Sequence, residues 1–273
     1  MFSFNAVAVS SSSYYLDSSL QRINQASAKI GTGQRTIGDD IDAGGISLSV
    51  KLNAQAANLK VTNGNIQNAI SFLEVQESYM AQAEEIFDRV VELFSLYNGD
   101  PLMSDTSRDS YENEFRSLQN DLLNISNAKF NGIDLFADLK NYNQGGEEIS
   151  VNVSPDNSQS VIIKREDLNY ALGFTIFIVD SLAQLSQGML DVDLNDFSSI
   201  RSHNLKSKNH LTGYLHSVNQ YRLNNHNALS RVTDVDLANE LSQIAKHTIL
   251  KNSAAAMITQ ANTSAEIAAT LIA

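Results

Sequence analysis

Apolar residues recur along this chain at alternating spacings of four and three, the pattern of one helix face. Leu16, Leu20, Ile23, Ser27 and Ile30 carry the first such face, which ends where Gly31, Gly33 and Gly38 interrupt it. After the break TGQRTIGDDIDAGG the period resumes with Leu48, Leu52, Gln55, Leu59, Thr62, Ile66, Ala69 and Leu73. A second seam, Tyr79, Ala83, Ile86, Val90, Leu93 and Tyr97, follows with little interruption. Residues 46–97 therefore predict one helix, about 75 Å long at 1.5 Å per residue. A rod of that length needs other rods to pack against. NGDPLMSD stops it with a glycine, a proline and cap-type residues. Tyr111, Phe115, Leu118, Leu122 and Ile125 then predict a shorter helix that folds back antiparallel.

The middle of the chain has a different period. ISVNVSPDNSQSVII alternates through Ile149, Val151 and Val153, turns at Ser154-Pro155-Asp156-Asn157, and resumes with Val161 and Ile163, which predicts a β-hairpin. Helical spacing returns from about residue 174, with Leu211, Leu215 and Val218, then Leu237, Leu241 and Ile244. The expected fold is mainly α, a long antiparallel coiled-coil rod with N- and C-terminal helices paired and a small β-hairpin insert. Residues 44–140 form the N-terminal half of the rod, 141–180 the hairpin and connecting insert, and 181–251 the C-terminal rod helix. Leu48, Leu52, Leu59, Ile66, Ile86, Val90, Leu93, Leu118 and Leu122 are its expected packing residues.

Composition narrows the function more than the fold. Only Pro101 and Pro155 are prolines, so residues 1–100 and 156–273 are free of the strongest helix breaker. A formal charge of −12 argues against a nucleic-acid partner, which needs a surplus of Lys and Arg. No cysteine is present, so there is no disulfide framework and no thiolate metal site. The first cationic side chain is Arg22, which excludes a Sec-type signal peptide, and no apolar run is long enough to span or insert into a membrane. An exported chain of this kind leaves by a route that cleaves no N-terminal signal.

Catalytic, cofactor and metal chemistry find no constellation, so an enzyme is not expected. His203, His210, His216, His226 and His247 never form the i, i+4 pair of a helical zinc site. Gly31-Thr32-Gly33 lacks the third glycine of a dinucleotide loop and follows a helix pattern rather than a strand. Asp39, Asp40 and Asp42 could hold a cation, or cap the long helix and favour its dipole. Glu84, Glu85 and Asp88 read as a solvated face.

The C-terminal stretch KNSAAAMITQANTSAEIAATLIA has only Glu266 as a charged side chain after Lys251. Met257, Ile258, Ile267, Leu271 and Ile272 are its large apolar residues. Ordering this backbone costs more than burying so few side chains on one surface returns, so packing among many copies suits it better.

Both termini resemble bacterial flagellin. SRVTDVDLANELSQIAKHTILKNSAAAMITQAN is similar to the family's C-terminal signature through Ser230, Arg231, Asp234, Asp236, Ala238, Glu240, Ile249, Leu250, Gln260, Ala261 and Asn262. Near the other end, Gly33, Arg35, Ile37, Asp39, Asp40, Ala43 and Gly44 take the places of the family's glycine–arginine turn and its Asp-Asp-x-Ala-Gly. Phe130-Asn131-Gly132 matches the family's Phe-Asn-Gly after the second helix. The resemblance covers about 1–165 and 205–273. Thr263-Ser264 stand where a proline usually follows Gln-Ala-Asn, and large variable outer domains are absent.

This resemblance implies a structural protein exported by the flagellar type III apparatus and polymerised into the filament used for swimming, external or periplasmic. Residues 1–43 and 252–273 would form the filament's inner core, with Phe2, Phe4, Leu16, Leu20, Ile23, Met257, Ile258, Ile267 and Leu271 as self-assembly residues. Implied partners are other copies, an export chaperone, and junction and cap proteins. A Toll-like receptor of a host binds many flagellins, and the matching positions are Arg89, Leu93 and Glu114; the same residues also read as surface charges and a seam residue. Alternative readings are a hook–filament junction protein of the same architecture or a cytosolic coiled-coil scaffold.

Overall fold

The computed structural model describes residues 2–35, 42–137 and 148–272. Six α-helices are present among them: α1 (Phe2–Thr32), α2 (Ala43–Gly99), α3 (Asp105–Ser126), α4 (Leu168–Ala171), α5 (Gln187–Thr233) and α6 (Leu237–Ile272). Four strands form two antiparallel pairs, β1 (Lys129–Phe130) with β2 (Ile133–Asp134), and β3 (Glu148–Asn152) with β4 (Ser160–Lys164). The helix expected over 46–97 spans Ala43–Gly99, and the expected hairpin is β3–β4, with Val151 opposite Val161. The chain divides into two compact units, one of residues 1–56 with 223–273, the other of residues 57–222.

In the unit of residues 57–222, α2 buries Leu59, Ile66, Leu73, Met80, Phe87, Val90 and Leu93 along one stripe. Phe115 and Leu122 of α3 and Leu190, Phe197, Leu211 and Val218 of α5 complete a continuous helical core with it. Val151, Val153 and Ile163 of the hairpin join the same core. Buried polar side chains pin these layers where apolar contact alone would let them slide. Gln76 Nε2 donates to the Leu135 carbonyl at 2.8 Å, and Asn204 Nδ2 donates to Gln76 Oε1 at 2.5 Å.

Local chemistry explains each break. Asp100 accepts the Leu102 amide at 2.9 Å, Ser104 caps α3 through the Ser107 amide, and Arg108 stacks on Tyr97 at 4.9 Å across the turn. Asn131 (φ 51°) and Gly132 (φ 80°) form the β1–β2 turn, where positive φ at both positions matches the strand twist. That conformation is what the Phe-Asn-Gly motif supplies. After the hairpin, helical structure returns first as the single turn of α4, capped by Asp167 through the Tyr170 amide. A π-type turn over Phe174–Ile178 and a 3-10 turn over Leu182–Gln184 precede α5. Their freed backbone groups are held by side chains. Asp193 accepts the Thr175 amide at 2.8 Å, and Gln119 Nε2 donates to the carbonyls of Thr175 and Val179.

One expectation needs correcting. The first-helix face was expected to include Leu20 and Ser27, but both are exposed, and α1 instead buries Ser12, Ser19 and Ala26, with Leu16, Ile23 and Ile30 half-buried between them. Small residues win those places because they let a neighbouring helix approach closely. The domain boundary expected at 251/252 lies within α6, and the α5–α6 break lies at 234–236.

Candidate self-assembly site

In the unit of residues 1–56 and 223–273, α1 and α6 lie side by side with Cα atoms within 8 Å of each other. The α6 face turned inward is a heptad stripe: Glu240, Ile244, His247, Lys251, Ala254, Ile258, Ala261 and Ala265 are less exposed positions, with Thr248 beside them, and Ala254 is buried. Ser12, Ser19 and Ala26 oppose them from α1. Small side chains on both helices favour a close approach of the two axes. Lys29 and Glu240 pair at 3.7 Å, both largely shielded.

The inward stripe is only part of α6's apolar surface. Leu250 and Met257, one heptad apart, lie exposed on one flank of the stripe. Leu237 and Leu241 are exposed on the other flank, and Ile249 and Ile267 on the opposite face. A helix apolar on every side is one built to be buried on every side.

The α5–α6 break is held by the acidic residues of the motif. Ser230 Oγ donates to Asp234 Oδ2, and Thr233 Oγ1 donates to Asp234 Oδ1 at 3.1 Å. These hydroxyls hold the Asp234 carboxyl below its ordinary value. Asp236 caps α6 by accepting the amides of Ala238 at 3.0 Å and Asn239 at 3.1 Å. A short antiparallel bridge joins this break to the end of α1: the Arg35 amide donates to the Thr233 carbonyl at 2.8 Å, and the Val235 amide to the Gly33 carbonyl at 3.1 Å. Gly33 has φ +70°, which lets the chain leave α1 into that bridge. Arg35 also approaches Asp42 at 3.7 Å, and Asp42 caps α2 through the Gly45 amide at 2.9 Å.

The predicted site residues thus fall into distinct places. Arg35, Ser230, Asp234, Asp236 and Glu240 meet around the junction of α1, α5 and α6. Arg231 is exposed in the last turn of α5, and Gln260 and Asn262 are exposed on α6. Asn131 and Gly132 sit in the β1–β2 turn of the other unit. Asp39 and Asp40 lie outside the described residues, as do the side chains of Phe2, Phe4 and Leu271, whose backbones fall within α1 and α6. Leu16, Ile23 and Ile258 are half-buried between α1 and α6, whereas Leu20, Met257 and Ile267 are exposed.

Of the rod residues, Leu59, Ile66, Val90, Leu93 and Leu122 are buried, Leu52, Ile86 and Leu118 half-buried, and Leu48 is 46% exposed. Ser19, Ala26 and Ala254, the small residues that set the α1–α6 approach, escaped an apolar-spacing search because they are not large. Their signal was the seven-residue recurrence of Ser and Ala.

Arg89 is tied to Glu114 at 2.6 Å and to Glu92 at 2.6 Å, and both hydrogen bonds raise its pKa. Leu93, aligned with them as a receptor contact, is fully buried and offers no surface to a partner. The correction follows from helix geometry: Leu93 continues the stripe of Val90, which faces the core. Among the described residues no group of His, Asp or Glu is arranged to hold a metal ion, and no helix is long and apolar enough to cross a membrane.

Comparison with known proteins places these features in one family. The model of the bacterial flagellin N-terminal helical region matches residues 2–141, and that of the C-terminal helical region matches residues 187–267. A flagellar filament 30.7 kDa core protein of Treponema maltophilum is 27% identical over 252 residues, covering 87% of this chain and 88% of that protein. A flagellin of Bacillus subtilis (strain 168) is 28% identical over 269 residues, covering 86% of this chain and 87% of the relative. A solved structure described as a flagellar hook-associated protein from Vibrio parahaemolyticus shares the fold, with a TM-score of 0.51 at 16% identity over 71% of this chain and 96% of that one. With both terminal regions matched and the α1–α6 pair formed between them, the chain belongs to the bacterial flagellin family, the structural proteins of the flagellar filament.

Proposed function

We propose that this chain is exported through the flagellar type III apparatus and adds to the filament by burying the outer faces of the α1–α6 pair among neighbouring copies. The observation that carries this reading is the all-round apolar surface of α6, with Leu241, Ile249, Met257 and Ile267 exposed in the single chain. A surface patch of that kind on a lone subunit is a liability, and on a polymerising one it is the contact. A heterologous contact whose rotation does not close generates a helical polymer, so one repeated interface suffices to build a filament. The assembled filament then transmits torque along closely packed helices, and swimming follows from shape and stiffness rather than from chemistry.

The same surface accounts for the other partners. Before export α6 needs cover, which an export chaperone would supply. At either end of the filament the exposed faces of the last subunits need a junction or cap protein. The test is seeded growth: purified chain added to filament fragments should elongate them, and Ile249→Glu with Ile267→Glu should not. Far-UV circular dichroism and thermal unfolding of the variant check that its helices persist. Elongation by the folded double variant at the parent rate would sink the reading.

A further inference from the structure

The sequence has no cysteine and five methionines, so thioethers are its only sulfur groups. Among the described residues, Met80 is fully buried in the α2 stripe, and Met103 and Met189 are half-buried. Met257 is 62% exposed and is the one methionine on the outer surface of α6. It shares its flank with exposed Leu250, one heptad away, beside the stripe centred on Ala254.

We propose that Met257 is an oxidation-sensitive modification site whose sulfoxide stops a free subunit from joining the filament. The oxidant is hydrogen peroxide. A sulfur lone pair attacks one peroxide oxygen, the S–O bond forms as the O–O bond breaks, and the departing hydroxide takes the remaining peroxide proton to leave as water. The thioether is oxidised by two electrons and the peroxide is reduced by two. The product replaces a flexible apolar side chain by a polar, chiral one on the flank it shares with exposed Leu250. Taking that polar group out of water costs free energy that the thioether does not, and its altered shape no longer fits, so the oxidised face resists the contact that the parent face makes. Assembly itself protects the residue, because packing against neighbouring copies removes Met257 from solvent. Oxidised subunits are thereby excluded, while those already incorporated are shielded.

This proposal rests on the assembly reading above, and one experiment separates the two. Full-length chain is treated with dilute hydrogen peroxide, quenched, mapped by peptide mass spectrometry and added to filament seeds. Sulfoxide is expected to accumulate first at Met257, and the critical concentration for growth to rise about tenfold or more. Met257→Leu, treated identically, should elongate seeds as the untreated parent does. Treating finished filaments should give several-fold slower oxidation at Met257 than treating the free chain. If untreated parent fails to elongate seeds, the assembly reading falls, and this inference falls with it. If untreated parent grows, three results each overturn the Met257 assignment alone. These are unchanged growth after oxidation at Met257, equal loss in Met257→Leu, or faster oxidation at Met103 or Met189.

Discussion

Asp156 sits at the tip of β3–β4, where Ser154 Oγ, Ser158 Oγ at 2.7 Å and the Ser158 amide at 3.2 Å all donate to one of its carboxylate oxygens. These bonds, the Ser154 hydroxyl first, hold its pKa at about 2. An unfolded aspartate titrates near about 3.9. The folded value is the lower one, so the turn's contribution is fully present above that range and is lost as pH falls through about 2. Carboxyl titration by NMR should therefore place Asp156 below every unperturbed aspartate, and Ser154→Ala should move it upward. Asp236 makes a different kind of prediction. Replacing it with Ala removes the α6 cap and should destabilise that helix start by about 1 kcal/mol. Faster hydrogen exchange at the Ala238 and Asn239 amides, with the 57–222 unit unaffected, is the expected readout. These roles were half legible in the chain. That acids precede helices is a local rule, and it pointed to Asp42 as a cap. That Asp234 is satisfied by Ser230 and Thr233 while Asp236 alone caps α6 depends on where the helix breaks, which no local rule states.

At the scale of elements, the α2 stripe and the α1–α6 pair pack by opposite means. Large side chains fill the first, so Phe87→Ala should leave a cavity costing about 3–5 kcal/mol. Denaturant unfolding of the full chain should show an earlier midpoint at unchanged slope for that transition. Small side chains close the second, so Ala254→Leu should be unfavourable by about 1–3 kcal/mol through overpacking, although it adds apolar surface. Faster exchange along α6 of the unassembled chain would report it, and slower exchange would contradict the close-packing account. This contrast explains the uneven legibility of the seams. Leu59, Ile66, Val90 and Leu93 could be read from spacing because large apolar residues at heptad positions have one sensible destination. The face of α1 was misread because Leu20 is large and Ser19 is small. Size argues for burial only until close helix approach makes small residues the better fit.

Across the whole molecule, the two units answer to different demands. Residues 57–222 bury a continuous core of their own. The terminal unit leaves Leu237, Leu241, Ile249, Leu250, Met257 and Ile267 exposed on one helix. Removing residues 253–273 should accordingly abolish seeded polymerisation while unfolding of the 57–222 unit keeps its midpoint. Normal filaments from that truncate would contradict the division of labour. Periodicity and composition alone determined the helix-rich class, the long helix and the hairpin. They did so because heptad spacing, strand alternation and missing proline act within a few residues of chain. Only the tertiary structure decided which faces are spent inside the chain and which remain open. It buried Leu93 in the core and left Leu20 and Met257 exposed. Burial depends on what a second, distant helix brings to the contact, and a one-dimensional pattern records only one side of it.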